Sequence, residues 1–285
     1  MAQSNTTRDV VVSAVALTWL VTSINPAAAD ATQKFSKHDA GATTVIDHAV
    51  WDKLLKSYVV PGKDGLNRVR YQAFKDGGHR NLKSYIKTLE GLRPTSLARP
   101  EQFAYWANLY NAKTIDVVLD AYPVKSIRAI SIKGGLFGFL KKSVGKGGPW
   151  KAKIMKVEGE SLSLDDVEHN ILRPIFKDSR VHYAVNCASV GCPNLQLSAF
   201  TGAKLEAMLN AGAKAYVNSP RGFVRKGGQL TASSIYNWFA SDFGGSARGV
   251  LKHAAKYAKP ELAKQLSSAT SIAGYEYDWS LNDAK

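Results

Sequence analysis

The sequence predicts an α+β fold, with a small, mainly antiparallel central sheet flanked by several helices. Three observations predict it. Apolar residues recur at three- and four-residue spacing in several segments, as in helices with one buried face. Between these segments lie short apolar runs closed by Gly-containing turns, as in strands and hairpins. No internal repeat and no low-complexity linker divides the 285 residues, so one domain is the simplest organisation.

The elements follow in order. Arg8, an apolar stretch from Val10 to Ile24 and then Pro26-Ala27-Ala28-Ala29 have the sequence of charges, apolar core and small-residue end of a secretory signal peptide. The expected signal is 1–29, with cleavage after Ala29 and a periplasmic or secreted product that is not transmembrane after cleavage. Residues 30–45 are polar and aperiodic and read as a flexible lead-in, and 46–285 as a single domain. Val50, Leu54, Leu55 and Tyr58 form a helical stripe, and Pro61 to Gly65 a turn. Val69, Tyr71 and Phe74 suggest a short strand and the start of the next segment, and Leu82 to Leu92 a helix closed by Pro94. Pro100 to Tyr122 is the best-defined helix, with proline in its first turn and Pro123 at its end.

The Gly- and Lys-rich stretch before Trp150 lacks P-loop spacing and reads as an exposed hairpin or lid loop. Ile154 to Val157 reads as a strand, Glu158-Gly159-Glu160 as its turn, and Ser163 with Asp166 as a capping box opening a helix that ends at Arg173-Pro174. Val181, Tyr183 and Val185 alternate with His182, Ala184 and Asn186, which predicts a strand. A helix over 200–218, a hairpin around Lys226-Gly227-Gly228, helices over Ser233 to Phe239 and Gly249 to Tyr257, and a strand over Tyr275 to Leu281 complete the chain.

The formal net charge is +15, but the cations are scattered. No compact basic helix or Arg-rich arm is present, which argues against specific nucleic-acid binding and leaves anionic envelope polymer or lipid headgroups as partners for the surface. No cofactor-binding motif appears, and neither Cys-x-x-Cys nor His-Glu-x-x-His spacing, so neither a cofactor nor a metal is expected.

Both cysteines, Cys187 and Cys192, lie on the loop after the expected strand Val181 to Asn186. Cys187, with His169, His182, Asn108, Asn111, Glu168 and Asn186, supplies the ingredients of thiol catalysis. A free thiol titrates near pH ~8.5 and needs an imidazole to hold it as thiolate, and the imidazole needs a third group to orient it. Cys187 is assigned as nucleophile, His169 as base and Asn111 as orienting amide, with Asn108, Glu168, His182 and Asn186 in support. On a continued strand His182 and Cys187 would point to opposite faces. Adjacent on a helix, Glu168 and His169 diverge by about 100°, so one of them faces a given site and the other ties Arg173 or the helix start. Four states of Cys187 stay open: a disulfide to Cys192, a thiol nucleophile, a metal ligand with Cys192 and His182 or His169, and a buried thiol. Trp238, Phe239, Asp242, Phe243 and Tyr277 to Trp279 read as packing and capping.

Phe103 to Ala112 (FAYWANLYNA), Val167 to Arg173 (VEHNILR), His182 to Pro193 (HYAVNCASVGCP), Trp238 to Gly244 (WFASDFG) and Tyr277 to Asn282 (YDWSLN) together resemble the domain of unknown function 547 family. The resemblance extends from about Trp51 to Asn282. It implies a papain- or transglutaminase-like α+β fold, and a family pattern that fixes the first cysteine more firmly than the second. The expected activity is that of a cysteine-dependent hydrolase or acyl transferase acting on amide or peptide-like bonds. The alternative is a non-catalytic cell-envelope binding module with a structural Cys187–Cys192 disulfide.

Overall fold

The computed structural model describes residues 26–132, 143–144 and 148–284. Most of the expected signal sequence and most of the Gly- and Lys-rich stretch lie outside these residues. Helix α1 (Pro26–Phe35) is followed by α2 (Ala49–Tyr58), the antiparallel hairpin β1 (Val59–Pro61) and β2 (Asn67–Val69), then α3 (Tyr71–Gly77) and α4 (His79–Glu90). The central element is α5 (Arg99–Ala121), whose residues are buried on every side from Glu101 to Ala112. A helix buried all round must satisfy its polar side chains from within, which is why Gln102, Asn108 and Asn111 all hold neighbouring backbone.

The stretch expected as a flexible lead-in is instead anchored on α5. The Phe35 ring is fully buried and meets Trp106 edge-on at 4.9 Å. Gln102 donates to the carbonyls of Phe35, Lys37 and Pro94, and Glu101 accepts from the Ile46 backbone. One aromatic anchor and a few backbone bonds outweigh the polar composition around them. In α2 the buried stripe is Trp51, Leu54 and Leu55, with Val50 exposed, one position round from the expected face.

After α5 come β3 (Ile130–Ser131) with β4 (Ser143–Val144), and β5 (Met155–Val157) with β6 (Glu160–Leu162), both antiparallel. The β5–β6 turn is Glu158-Gly159, both at positive φ as a two-residue hairpin turn requires. Ser163 and Asp166 form the expected capping box, each side chain bonding the other's backbone amide. The helix it opens is a π-helix, Asp166–Leu172, which runs into α6 (Arg173–Phe176). Then follow α7 (Val181–Ala184), α8 (Leu205–Val217), β7 (Phe223–Lys226), β8 (Gln229–Ser233), α9 (Ser234–Trp238), α10 (Ala247–Ala255), α11 (Pro260–Ser268) and β9 (Gly274–Glu276). The α+β class holds, with small antiparallel sheets flanked by helices. Among the described residues the strands are divided over several such sheets, and β9 joins β8 in parallel; α5 rather than a sheet takes the centre. No described helix is long and apolar enough to cross a membrane.

The expected strand at Val181 to Asn186 is a helical turn followed by extended residues. Val181, His182, Tyr183 and Ala184 are all buried, so alternation carries no inside–outside information there. The amides of Val181, His182 and Tyr183 bond the carbonyls of Asp178, Ser179 and Arg180, which closes the turn.

A second core packs Tyr183, Tyr216, Tyr236, Phe243 and Val250 beneath the β7–β8–β9 sheet. Buried His253 joins it, its Nε2 2.9 Å from the Tyr183 hydroxyl and its Nδ1 3.3 Å from Ser179 Oγ. Burial, with the Lys256 charge adding, lowers its pKa to about 4. A histidine held neutral contributes its full stability above the unfolded value near 6.5 and loses it as pH falls toward the folded value. Denaturant unfolding should therefore show up to about 3 kcal/mol lost between pH 6.5 and 4. His253→Gln should flatten that part of the profile.

Candidate functional site

The site is assembled around the cysteine loop, and two amides on α5 set that loop's position. Asn111 Nδ2 donates to the Ala184 carbonyl at 2.9 Å and its Oδ1 accepts from the Asn186 amide at 2.8 Å. Asn108 treats Phe200 in the same way, through both its carbonyl and its amide. Each side chain takes the place of a neighbouring strand, and both are fully committed to backbone. Asn186 in turn bonds the Pro193 carbonyl and the Ala188 amide, closing the loop on itself. Ala188, next to Cys187, has φ +60°, a left-handed conformation uncommon for a residue with a side chain.

The C-terminal segment fixes the loop from the other side. Val190 and Gly191 donate to the carbonyls of Ser280 and Asp278, and Ser189 pairs antiparallel with Leu281. A Cβ on Gly191 would stand 2.9 Å from the Asp278 amide nitrogen, so glycine is required for this approach. Cys187 and Cys192 are joined in a disulfide. The Tyr277 hydroxyl lies 3.0 and 3.1 Å from their sulfurs and 2.9 Å from Ser189 Oγ.

The disulfide forms one wall of a cavity of about 180 Å3. Glu168, His169 and His182 open onto the same space, with Tyr110, Trp238 and Tyr277 among the rings that surround it. Sequence spacing separated these groups, and two backbone features reunite them. The helical turn at Val181–Ala184 lets His182 and Cys187 reach one cavity. The π-helix, wider than an α-helix, lets adjacent Glu168 and His169 both face it, where an α-helix was expected to admit one.

Hydrogen bonding assigns the two histidines different states. His182 Nε2 lies 2.8 Å from Asp242 Oδ2. The hydrogen bond from His182, reinforced by the Arg173 guanidinium, holds the Asp242 carboxyl well below the usual carboxylate range. An ionised carboxylate only accepts, so Nε2 carries a proton, while Nδ1 makes no hydrogen bond among the described residues and lies 3.8 Å from Glu168 Oε1. His169 is the reverse case. Its Nδ1 lies 3.2 Å from Arg173 Nη1, a pure donor, so its lone pair is spent, and its Nε2 lies 3.9 Å from Asp165. The expected tie between His169 and Arg173 is therefore present. Arg173 also grips Asp242 through two bonds of 2.6 and 3.1 Å, and both the guanidinium and the His182 ring lie over Phe239.

Asn111 orients the loop backbone rather than an imidazole, and Asn108 and Asn186 likewise serve the backbone. Glu168 Oε2 accepts from the Tyr110 hydroxyl at 3.1 Å. Asp242, Phe239, Trp238, Tyr277 and Trp279, expected as packing, line the cavity or orient His182. The acid set between Phe239 and Phe243 was the sequence signal for Asp242. A wider groove of about 770 Å3 between α2 and α8 contains Asp52 and Lys56, already paired with each other, and no cysteine. Elsewhere His79, Asp116 and Asp120 converge, but Lys83 bridges both carboxylates at 2.7 and 3.0 Å, as an ion-pair network rather than an open ligand set.

Residues 94–217 match the family model described as Protein of unknown function, DUF547, which supports the family resemblance of the sequence motifs. The matched segment carries α5, the π-helix, the cysteine loop and α8. No curated protein and no solved structure matches the chain.

Replacing Asn111 by Ala strands the Ala184 carbonyl and the Asn186 amide, both buried. With about 1–3 kcal/mol for each orphaned group, Asn111→Ala should lose about 2–6 kcal/mol in urea unfolding at neutral pH.

Proposed function

We propose that the protein is a cysteine-dependent hydrolase or acyl transferase acting on amide or peptide-like bonds, with Cys187 as nucleophile in its reduced form. The observation that carries this reading is the His182–Asp242 pair, whose histidine lines the same cavity as Cys187 and makes no hydrogen bond through Nδ1 among the described residues. This gives His182 the base role assigned from sequence to His169, and Asp242 the orienting role assigned to Asn111. The export expected from residues 1–29 belongs to the same proposal and would put the reaction in the cell envelope.

The disulfide is then the resting, oxidised state. An external dithiol reductant opens it, giving two thiols and an oxidised dithiol. Cys187 passes its proton to His182 Nδ1, and the sulfur attacks the substrate carbonyl. His182 returns the proton to the leaving amine as the carbon–nitrogen bond breaks, leaving a thioester. Water completes hydrolysis, or a second amine completes transfer. The rigid Asp242–Arg173 pair fixes the His182 tautomer throughout.

The Cys187–Cys192 bond itself favours the second reading, a non-catalytic envelope binding module whose cavity wall is closed by that bond. Alkylation of the reduced protein over a pH series, read by mass spectrometry, separates the two. Catalysis predicts that Cys187 labels faster than Cys192, with a midpoint below the ~8.5 of a free thiol. His182→Gln and Asp242→Asn should each raise that midpoint toward ~8.5, and by more than His169→Gln does. An ordinary midpoint unmoved by these changes, in variants that keep the native circular dichroism spectrum, would leave the binding module.

A further inference from the structure

The ring-lined half of the cavity contains more aromatic surface than a small disulfide site requires. Trp279 meets Trp238 nearly parallel at 5.7 Å, Trp150 edge-on at 5.7 Å and Tyr277 at 4.6 Å. Trp238 is 47% exposed, large for a tryptophan with two ring neighbours, Tyr277 and Trp279, on this wall. Facing these rings are two carboxylates of the π-helix entrance, Asp165 and Glu168, which line the same cavity.

Neither acid has a dedicated counter-cation among the described residues. Arg173 is held by Asp242 through two bonds, and His182 donates its Nε2 proton to Asp242 as well. Near Asp165 lie His169, at 3.9 Å and with its other nitrogen on Arg173, and the exposed Lys151, which forms no ion pair with it among the described residues. Glu168 is nine-tenths buried, yet its Oε1 takes no hydrogen bond among the described residues. Burial, with the neighbouring Glu168 charge adding, raises the pKa of Asp165, and the His169 and Lys151 charges oppose it without cancelling it. An electron-rich aromatic wall opposite uncompensated buried carboxylate is the chemistry that selects a cation over a neutral or anionic group.

We infer that this cavity binds an alkylammonium group, carried by the substrate as a side-chain or terminal amine or as a quaternary ammonium. Trp279 already accepts a guanidinium on its ring face, with Arg128 5.1 Å from its centroid. The inference names the substrate class of the site proposed above and so rests on that cavity being the functional one, but it does not depend on the state of the sulfurs.

The test uses the oxidised protein, with the disulfide intact, and tetramethylammonium, choline and n-butylammonium as probes. The control is 3,3-dimethylbutan-1-ol, the neutral isostere of choline. Calorimetric titration, with tryptophan emission as the second readout, should show saturable binding of at least one ammonium probe. The neutral isostere should bind about 10-fold more weakly. Glu168→Gln, which can still accept from Tyr110, should weaken the ammonium probe about 10-fold and leave the isostere unchanged; Trp279→Leu should weaken both. Equal binding of the isostere, or no saturable binding of any ammonium probe by a protein with native circular dichroism, would overturn the inference. Because no thiol takes part, a failure here alongside a lowered Cys187 midpoint would refute the ammonium preference alone. Ammonium binding with an ordinary thiol would instead refute catalysis alone.

Discussion

The rest of the structure depends on the need of a helix buried on all sides to find partners for its own amides. Helix α5 has no solvent face over most of its length, so Asn108 and Asn111 must hydrogen-bond inside the protein or cost the fold several kcal/mol. Each does so by taking one donor and one acceptor from a passing loop. Asn111 brackets Val185 and fixes where the chain leaves α7 and enters the cysteine loop. The same bonds that complete the core therefore determine the direction of Cys187. Packing and site geometry are one constraint.

Around that loop the charges are arranged so that one carboxylate serves several partners. Asp242 neutralises Arg173 and orients His182, and Arg173 in turn occupies His169. Two histidines in one cavity are thus differentiated by what their second nitrogen meets. Among the described residues the network leaves His182 Nδ1 without a hydrogen bond and Glu168 and Asp165 without a lysine or arginine ion pair.

Much of this was legible in the chain. Pro100 and Pro123 bounded α5, the Ser163–Asp166 capping box and the Gly-containing hairpin turns are where the pattern put them, and Asn108 and Asn111 were marked as amides that would tie down backbone or orient a catalytic group. The failures have physical causes. At Val181 to Ala184 every side chain is buried, so an alternating pattern could not distinguish strand from helical turn, and His182 was turned away from Cys187. The π-helix has a wider turn than an α-helix, but at seven residues, Asp166–Leu172, it is too short for that turn to mark the apolar periodicity. Phe35 anchors a segment that is otherwise polar. Asp242 and Trp279 sit among aromatic residues, and from sequence a ring lining a cavity looks the same as a ring filling a core.

The stretch that matches the family model ends at Val217, before α9 and the C-terminal segment. It holds the two sulfurs and both imidazoles. The carboxylate that orients His182, the ring stacked on it, and Trp238, Tyr277 and Trp279 all come from later in the chain. The sulfurs, the imidazoles and the cavity carboxylates Asp165 and Glu168 thus lie in the matched segment, and most of the aromatic rings around them come after it. Substitutions in the later part could change which ligand is admitted while the sulfur and imidazole stay as they are. A protein cut back to residues 94–217 would keep the two sulfurs, both imidazoles and the Asp165 and Glu168 carboxylates but lose Asp242 and the rings of Trp238, Phe239, Tyr277 and Trp279.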